Sequence, residues 1–133
     1  MKMQRILSDK VKEPKPGTWS NCKRVGNQFF VSGMTAHDLA GNVMGGKDMY
    51  SQTKRTFEKI QGLVEAAGGT MNDIAKLTIF VTDITEREEV WKARSEFFTG
   101  DFPCCSLIGI KELATPELKV EIEAVGFIGA GAE

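Results

Sequence analysis

Two adjacent cysteines, Cys104-Cys105, head an apolar run, "FPCCSLIGIKEL" (102–113), and two carboxylates, Glu121 and Glu123, alternate in "KVEIEAV" (119–125). These are the residues whose types and spacing could do chemistry. Thiols offer a nucleophile, a redox pair or a metal ligand. Paired carboxylates offer acid–base work. Successive side chains of a strand point to opposite faces, so Cys104 and Cys105 cannot line one pocket, and joining them would strain the peptide between them. A free cysteine in such a run packs as a small hydrophobe. Glu121 and Glu123 share one face with Lys119, and Val125 and Phe127 continue that face. Carboxylates about 7 Å apart on a face that turns apolar read either as a solvated strand end or as groups held at a partly dry subunit boundary, where burial raises a carboxyl pKa toward that of a general base.

Two other signals are weaker. "GNVMGGKD" (41–48) has phosphate-loop spacing, but Asp48 stands where a hydroxyl should meet Mg²⁺, so a glycine turn before a helix is expected. His37 is the only histidine and falls in a loop, and no paired C-x-x-C accompanies Cys22. No zinc site is expected, and a solvated loop histidine is.

The elements that must position these residues follow from periodicity. "MQRIL" (3–7) reads as a short strand and the proline-bearing 8–17 as a loop. A hairpin is expected around Gly26-Asn27, and a very short strand between the turn residues of "LAGNVMGGK". In 48–69, Tyr50, Thr53, Phe57, Ile60, Val64 and Ala67 share one helical face that ends at Gly68-Gly69. "IAKLTIFVTD" (74–83) is a buried strand. A second helix is expected over 85–98, opened by a capping box of Thr85 and Glu88, with Val90, Phe97, Trp91 and Phe98 on its apolar side. "CCSLIGI" and "ELKVEIEAVGFI" are the last strands. The order gives one α+β domain over 1–133, a mixed sheet with both helices on one face. Leu77, Ile79 and Val81 lie on one side of their strand and Thr78 and Phe80 on the other. Both sides then need cover, and two helices cover one.

The chain has 133 residues, 41% hydrophobic and 26% charged, with net charge −1 and pI about 5.9. Those totals carry no electrostatic footprint for nucleic acid, and no run approaches a membrane span. Three cysteines make no closed disulfide framework, which points to a reducing cytoplasm.

"GTWSNCKRVGNQFFVSGMT", "TKRTFEKIQGLVEAAGGTMNDIAKLTIFVTDI", "FFTGDFPCCSLIGIKEL" and "KVEIEAV" together resemble the Rid, or YjgF-like, family, in order and over most of the chain. The resemblance implies a chorismate-mutase-like fold and a homotrimer with sheets packed inward. It implies pockets at the subunit boundaries that take a small-molecule metabolite, and cofactor-free hydrolysis of enamines and imines. Carried onto this sequence, it makes Glu121 the carboxylate that positions or activates water. Ser32-Gly33 becomes the pocket floor, Trp19 takes a pocket tyrosine's place, and Trp91 takes a pocket asparagine's. With Phe30, the two tryptophans would wall the site. Family deaminases read Phe-Pro-X-Arg-Ser where this chain has "FPCCS", so Cys105 replaces the arginine that grips a substrate carboxylate. Losing about 3 kcal/mol of charge-assisted hydrogen bonding costs roughly a hundredfold in affinity. Lys111 lies too far along the same strand face to substitute. An altered substrate is expected; the alternatives are a non-catalytic metabolite-binding trimer and, less supported, the endoribonuclease or translation-inhibitor activity ascribed to some relatives. Light scattering is expected to return three times the single-chain 14.6 kDa; a single-chain mass would remove the inward-packed trimer.

Overall fold

The computed structural model describes residues 1–131. Six strands form one sheet: β1 (Met3–Ile6), β2 (Cys22–Val25), β3 (Gln28–Met34), β4 (Ile74–Val81), β5 (Cys104–Gly109) and β6 (Val120–Phe127). Their spatial order is β1-β2-β3-β6-β4-β5. Only β4 and β5 pair in parallel, across a helical crossover, and the sheet is therefore mixed. Two helices, α1 (Met49–Ala66) and α2 (Arg87–Arg94), complete the α+β domain.

The β2–β3 turn is the hairpin at Gly26-Asn27, with Val25 opposite Gln28. Gly26 alone takes positive φ, 58°, as a turn with glycine at its first central position requires. α1 begins at Asp48, whose carboxylate accepts the Ser51 amide at 3.0 Å. The Ser51 hydroxyl and then its amide hold the Asp48 carboxyl below its usual range, and the amide bond gives the aspartate of "GGKD" a capping role. α1 ends in a full Schellman motif: Gly69 N–H donates to Val64 O and Gly68 N–H to Glu65 O, with Gly68 at φ 101°. The very short strand expected near Val43 reduces to one bridge, His37 to Val43.

The core lies between the sheet and the helices. Val120, Ile122 and Ala124 of β6 and Leu77, Ile79 and Val81 of β4 are buried there with Phe57, Ile60, Leu63 and Val64 of α1. Phe97 stacks on Phe57 at 5.3 Å and Phe98 meets it edge-on at 5.8 Å.

Four expectations are corrected. Tyr50 lies outside the core, where its hydroxyl donates to Glu96. The capping box at Thr85 does not form, because Asp83 accepts the Thr85 amide at 3.0 Å and starts a 3₁₀ turn, Ile84–Glu86, that leads into α2. α2 stops at Arg94, four residues short of Phe98, and presents Val90 and Ala93 to the core while Trp91 faces out. Lys111 lies beyond the end of β5, off the strand face once assigned to it.

α1 also buries a polar stripe, Gln52, Thr56 and Lys59, beside its apolar one. Gln52 ties the site loops together: its Nε2 donates to Gly46 O (2.7 Å) and Glu117 O (2.8 Å), and its Oε1 accepts the Lys119 amide (2.9 Å). Replacing Gln52 by leucine leaves those three backbone groups without their partner. Urea denaturation is expected to show a loss of about 2–3 kcal/mol; an unchanged midpoint would mean that the clamp contributes nothing.

Candidate active site

β6 is hydrogen-bonded on both edges, and its alternation divides the molecule. Val120, Ile122 and Ala124 face the helices, while Glu121, Glu123, Val125 and Phe127 face the other way. Register sets Glu121 beside Phe80 and Val125 beside Phe30. Phe80 pairs in turn with Ile108. The second face is therefore apolar with carboxylates at one end, and Phe30, Ile108 and Phe127 are each more than 40% exposed on it.

The pairing of β3 with β6 is irregular between Val31 and Met34. At that bulge Ser32 turns to the 19–21 segment: its amide donates to Asn21 O at 2.9 Å and its hydroxyl to Ser20 O. Gly33 lies directly under Glu121. A Cβ at Gly33 would stand 2.5 Å from Glu121 Oε2 and 2.7 Å from its Cδ, so only glycine lets the carboxylate rest there. Burial, and then the charge of Glu123, raise the Glu121 carboxyl above the ordinary glutamate range.

Glu121 and Gly33 open into a cavity of about 430 Å³, within the span of small-molecule sites. Trp19 forms part of its wall, with the indole N–H donating to Asn21 Oδ1 at 3.2 Å. Phe30 and Ser32 line a neighbouring hollow with Glu123. Of the residues read from sequence, Glu121, Gly33 and Trp19 share one cavity, and Ser32 and Phe30 adjoin it. Trp91 and Cys105 lie elsewhere in the chain. Trp91 is on the outer side of α2, with the Arg87 guanidinium 5.9 Å from its ring centre. Cys105 pairs with Leu77 and packs with Leu107 against the core, on the face of the sheet opposite Glu121. Cys104 is exposed, and neither is in a disulfide.

Two cavity residues escaped the sequence reading. His37, expected in solvent, is half-buried in the cavity wall: Thr35 Oγ1 lies 2.8 Å from its Nδ1, and burial together with the Lys59 charge lowers its pKa. Lys59, only 7% exposed, reaches from α1 to donate to Thr35 O at 2.7 Å. Its signal was the i, i+4, i+7 spacing of Gln52, Thr56 and Lys59, a polar stripe next to an apolar one. Among the described residues no cluster of histidine, cysteine and carboxylate could hold a metal ion, and no helix is long and apolar enough to cross a membrane.

A six-stranded mixed sheet backed by two helices, with a half-buried carboxylate over a glycine at one end, defines a small α+β protein with a carboxylate-bearing cavity. The profile of the family described as Endoribonuclease L-PSP matches residues 11–128, and the chain belongs to that family, the Rid or YjgF-like proteins. A 2-iminobutanoate/2-iminopropanoate deaminase of Dermatophagoides farinae is 29% identical over 125 residues, 94% of this chain and 97% of its own. A RutC family protein of Pyrococcus abyssi is 33% identical over 118 residues, covering 87% and 91%. The crystal structure of RidA from an Antarctic Psychrobacter species superposes with a TM-score of 0.85 at 28% identity, covering 94% and 99%.

The Glu121 carboxyl has a testable thermodynamic signature. Its raised pKa means that the folded state holds the proton more tightly than the unfolded state. Stability from this group is therefore full below the ordinary glutamate pKa, about 4.3, and is lost as pH rises through the raised value. Glu121→Gln is expected to raise the melting temperature at pH 7 relative to wild type and to leave it nearly unchanged at pH 4. A variant less stable than wild type at pH 7 would contradict the dry placement.

Proposed function

We propose that the protein hydrolyses a small enamine or imine in the Glu121 cavity, with no metal or organic cofactor. The reading makes the working unit a homotrimer, in which the apolar sheet faces pack inward and each cavity is completed by a neighbouring copy. The observation that carries it is the placement of Glu121: a carboxylate with a raised pKa, resting on Gly33, in a cavity walled by Trp19. The deaminase activity in the name of the Dermatophagoides farinae relative supports the same chemistry.

The reaction needs one group that takes a proton and returns it. Water adds to the carbon of the protonated imine while Glu121 accepts its proton, giving a neutral carbinolamine. The protonated carboxyl then donates to the departing nitrogen. As the C–N bond breaks and ammonia leaves, the carboxylate takes up the hydroxyl proton and the carbonyl forms, so water and protonated imine are converted to carbonyl compound, ammonia and one proton with nothing oxidised. A carboxylate with an ordinary pKa would be a weaker base for water and, near neutrality, a poor proton source for nitrogen. Desolvation improves both halves of the cycle.

Substrate choice follows from position 105. Cys105 offers no positive charge, and within one chain it lies on the far side of the sheet from Glu121. In this reading Trp91 and Cys105 join a cavity only from a second copy, and there they supply apolar surface. The preferred imine is then one that does not depend on an arginine fork. A ribonuclease is less supported, because the net charge is −1 and the one histidine is tied to Thr35.

Ammonia release from a panel of freshly generated imines is the test. Wild type is expected to accelerate at least one of them over buffer, and Glu121→Gln to lower that rate by about a hundredfold or more, since an amide cannot take a proton from water. Equal rates for wild type, Glu121→Gln and buffer across the panel would overturn hydrolysis and leave a metabolite-binding trimer.

A further inference from the structure

Lys59 is an ammonium group without a counter-charge. Its side chain is buried, yet among the described residues no carboxylate lies within 4 Å of it. Lysines are rarely buried unless paired, and a surface lysine would snorkel to water. The polar contact of Lys59 is the Thr35 carbonyl, at 2.7 Å. An ammonium has three N–H donors, so two remain for something else. The charge on α1 that acts on Lys59 has the same sign: Arg55, which is committed to His37 O at 2.9 Å and Lys10 O at 3.3 Å, while the adjacent Glu58 pairs with Arg55 at 3.9 Å. Burial, with that neighbour, lowers the Lys59 pKa to about 8.

The surroundings of Lys59 select an anion. It lines the same cavity as Glu121, and Lys12 and Lys15 stand at the rim. The other acidic group of the lining, Glu13, is neutralised by Arg5 at 2.7 Å. Glu121 is thus the one carboxylate there without a cationic partner, and it is held on Gly33, on the sheet side. Lys59 is the cation that the helix brings to the cavity. An unpaired cation from α1 and a half-buried base from β6, lining one cavity, form a receptor with a direction.

We propose that Lys59 binds the carboxylate of a small 2-imino or 2-oxo acid and so turns its reacting carbon toward Glu121. The proposal rests on the imine-hydrolase reading for its substrate class. It moves the anion grip from the sheet edge, where Cys105 stands, to the helix. Ligand binding also removes the cost of the bare ammonium, because the new ion pair is formed in a site already shielded from water.

The test separates this site from the reaction. Calorimetric titration with 2-oxobutanoate, the product-like ligand, is compared with 2-butanone, which lacks the carboxylate. Lys59→Met is expected to lose about ten- to a hundredfold in affinity for 2-oxobutanoate and none for 2-butanone, while Lys59→Arg retains most of it. Glu121→Gln should still bind. Because Lys59→Met alters a buried position, a second readout uses wild type alone: with ¹³C-labelled lysine, the Lys59 ε-carbon titration is expected to move to higher pH on saturation with 2-oxobutanoate and to stay put with 2-butanone. An unmoved titration, no binding by wild type, or a folded Lys59→Met that binds within twofold of wild type would each overturn the proposal. Lys59-dependent binding without ammonia release from any imine would uphold the receptor and remove the hydrolase.

Discussion

The two-residue period of β6 is the constraint on which the rest depends. This strand is hydrogen-bonded to β3 on one side and β4 on the other, so its faces cannot rotate independently of the sheet. One set of its side chains, Val120, Ile122 and Ala124, closes the core under α1. The other set carries Glu121 and Glu123. A slip of one residue would put both carboxylates into the core and three apolar side chains outside. Register is therefore over-determined by hydrophobic burial, and the carboxylate gains its position from that burial without needing a hydrogen-bonding partner of its own. The Gln52 clamp and the ion pair of Lys119 with Glu86 at 2.5 Å secure the start of the same strand.

Much of this frame was legible because local chemistry and tertiary need agree. The alternation of "KVEIEAV", the glycine stop of α1 and the Gly26 hairpin each have a short-range signature that burial reinforces. The misreadings occur where two local signals compete. At the start of α2, Thr85 and Glu88 matched a capping pattern, but Asp83 is a charged acceptor two residues earlier and takes the Thr85 amide first. At its end, Phe97 and Phe98 continued the apolar spacing, yet they reach Phe57 from a turn beyond Arg94. Periodicity records which side chains are buried and leaves open whether helix or turn delivers them.

The site was legible only on its sheet side. Glu121, Gly33 and Trp19, which share the cavity, could be placed from the alternating strand and the resemblance together, with Ser32 beside it. Lys59 and His37 could not, because their roles depend on how far α1 and the 35–43 loop stand from the sheet. That spacing is set by packing: Lys59 bonds to Thr35 O because α1 lies across β3, and Thr35 continues directly from that strand. A lysine in an amphipathic helix is ordinarily solvated. Here the stripe of Gln52, Thr56 and Lys59 turns inward beside Phe57 and Ile60.

That inward stripe explains how opposite charges coexist in one cavity without cancelling. A mobile Lys59 and a mobile Glu121 would meet and form a buried ion pair, which would offset their desolvation and leave no unsatisfied group for a ligand. Each is restrained by its own element. Glu121 lies along Gly33, which presents no Cβ to push it into the cavity, and Lys59 is tethered to the Thr35 carbonyl. The pair is thus held apart by backbone whose positions are set by the core. Unpaired charge costs stability, and burial shifts both groups toward their neutral forms, the carboxyl upward and the amine downward. Shifts of opposite sense are what burial does to any acid and any base; what marks this cavity is that two groups without a counter-charge line it together, where an apolar pair would pack at lower cost. They are accounted for if the cavity awaits a ligand that carries an anion at one end and accepts or releases protons at the other.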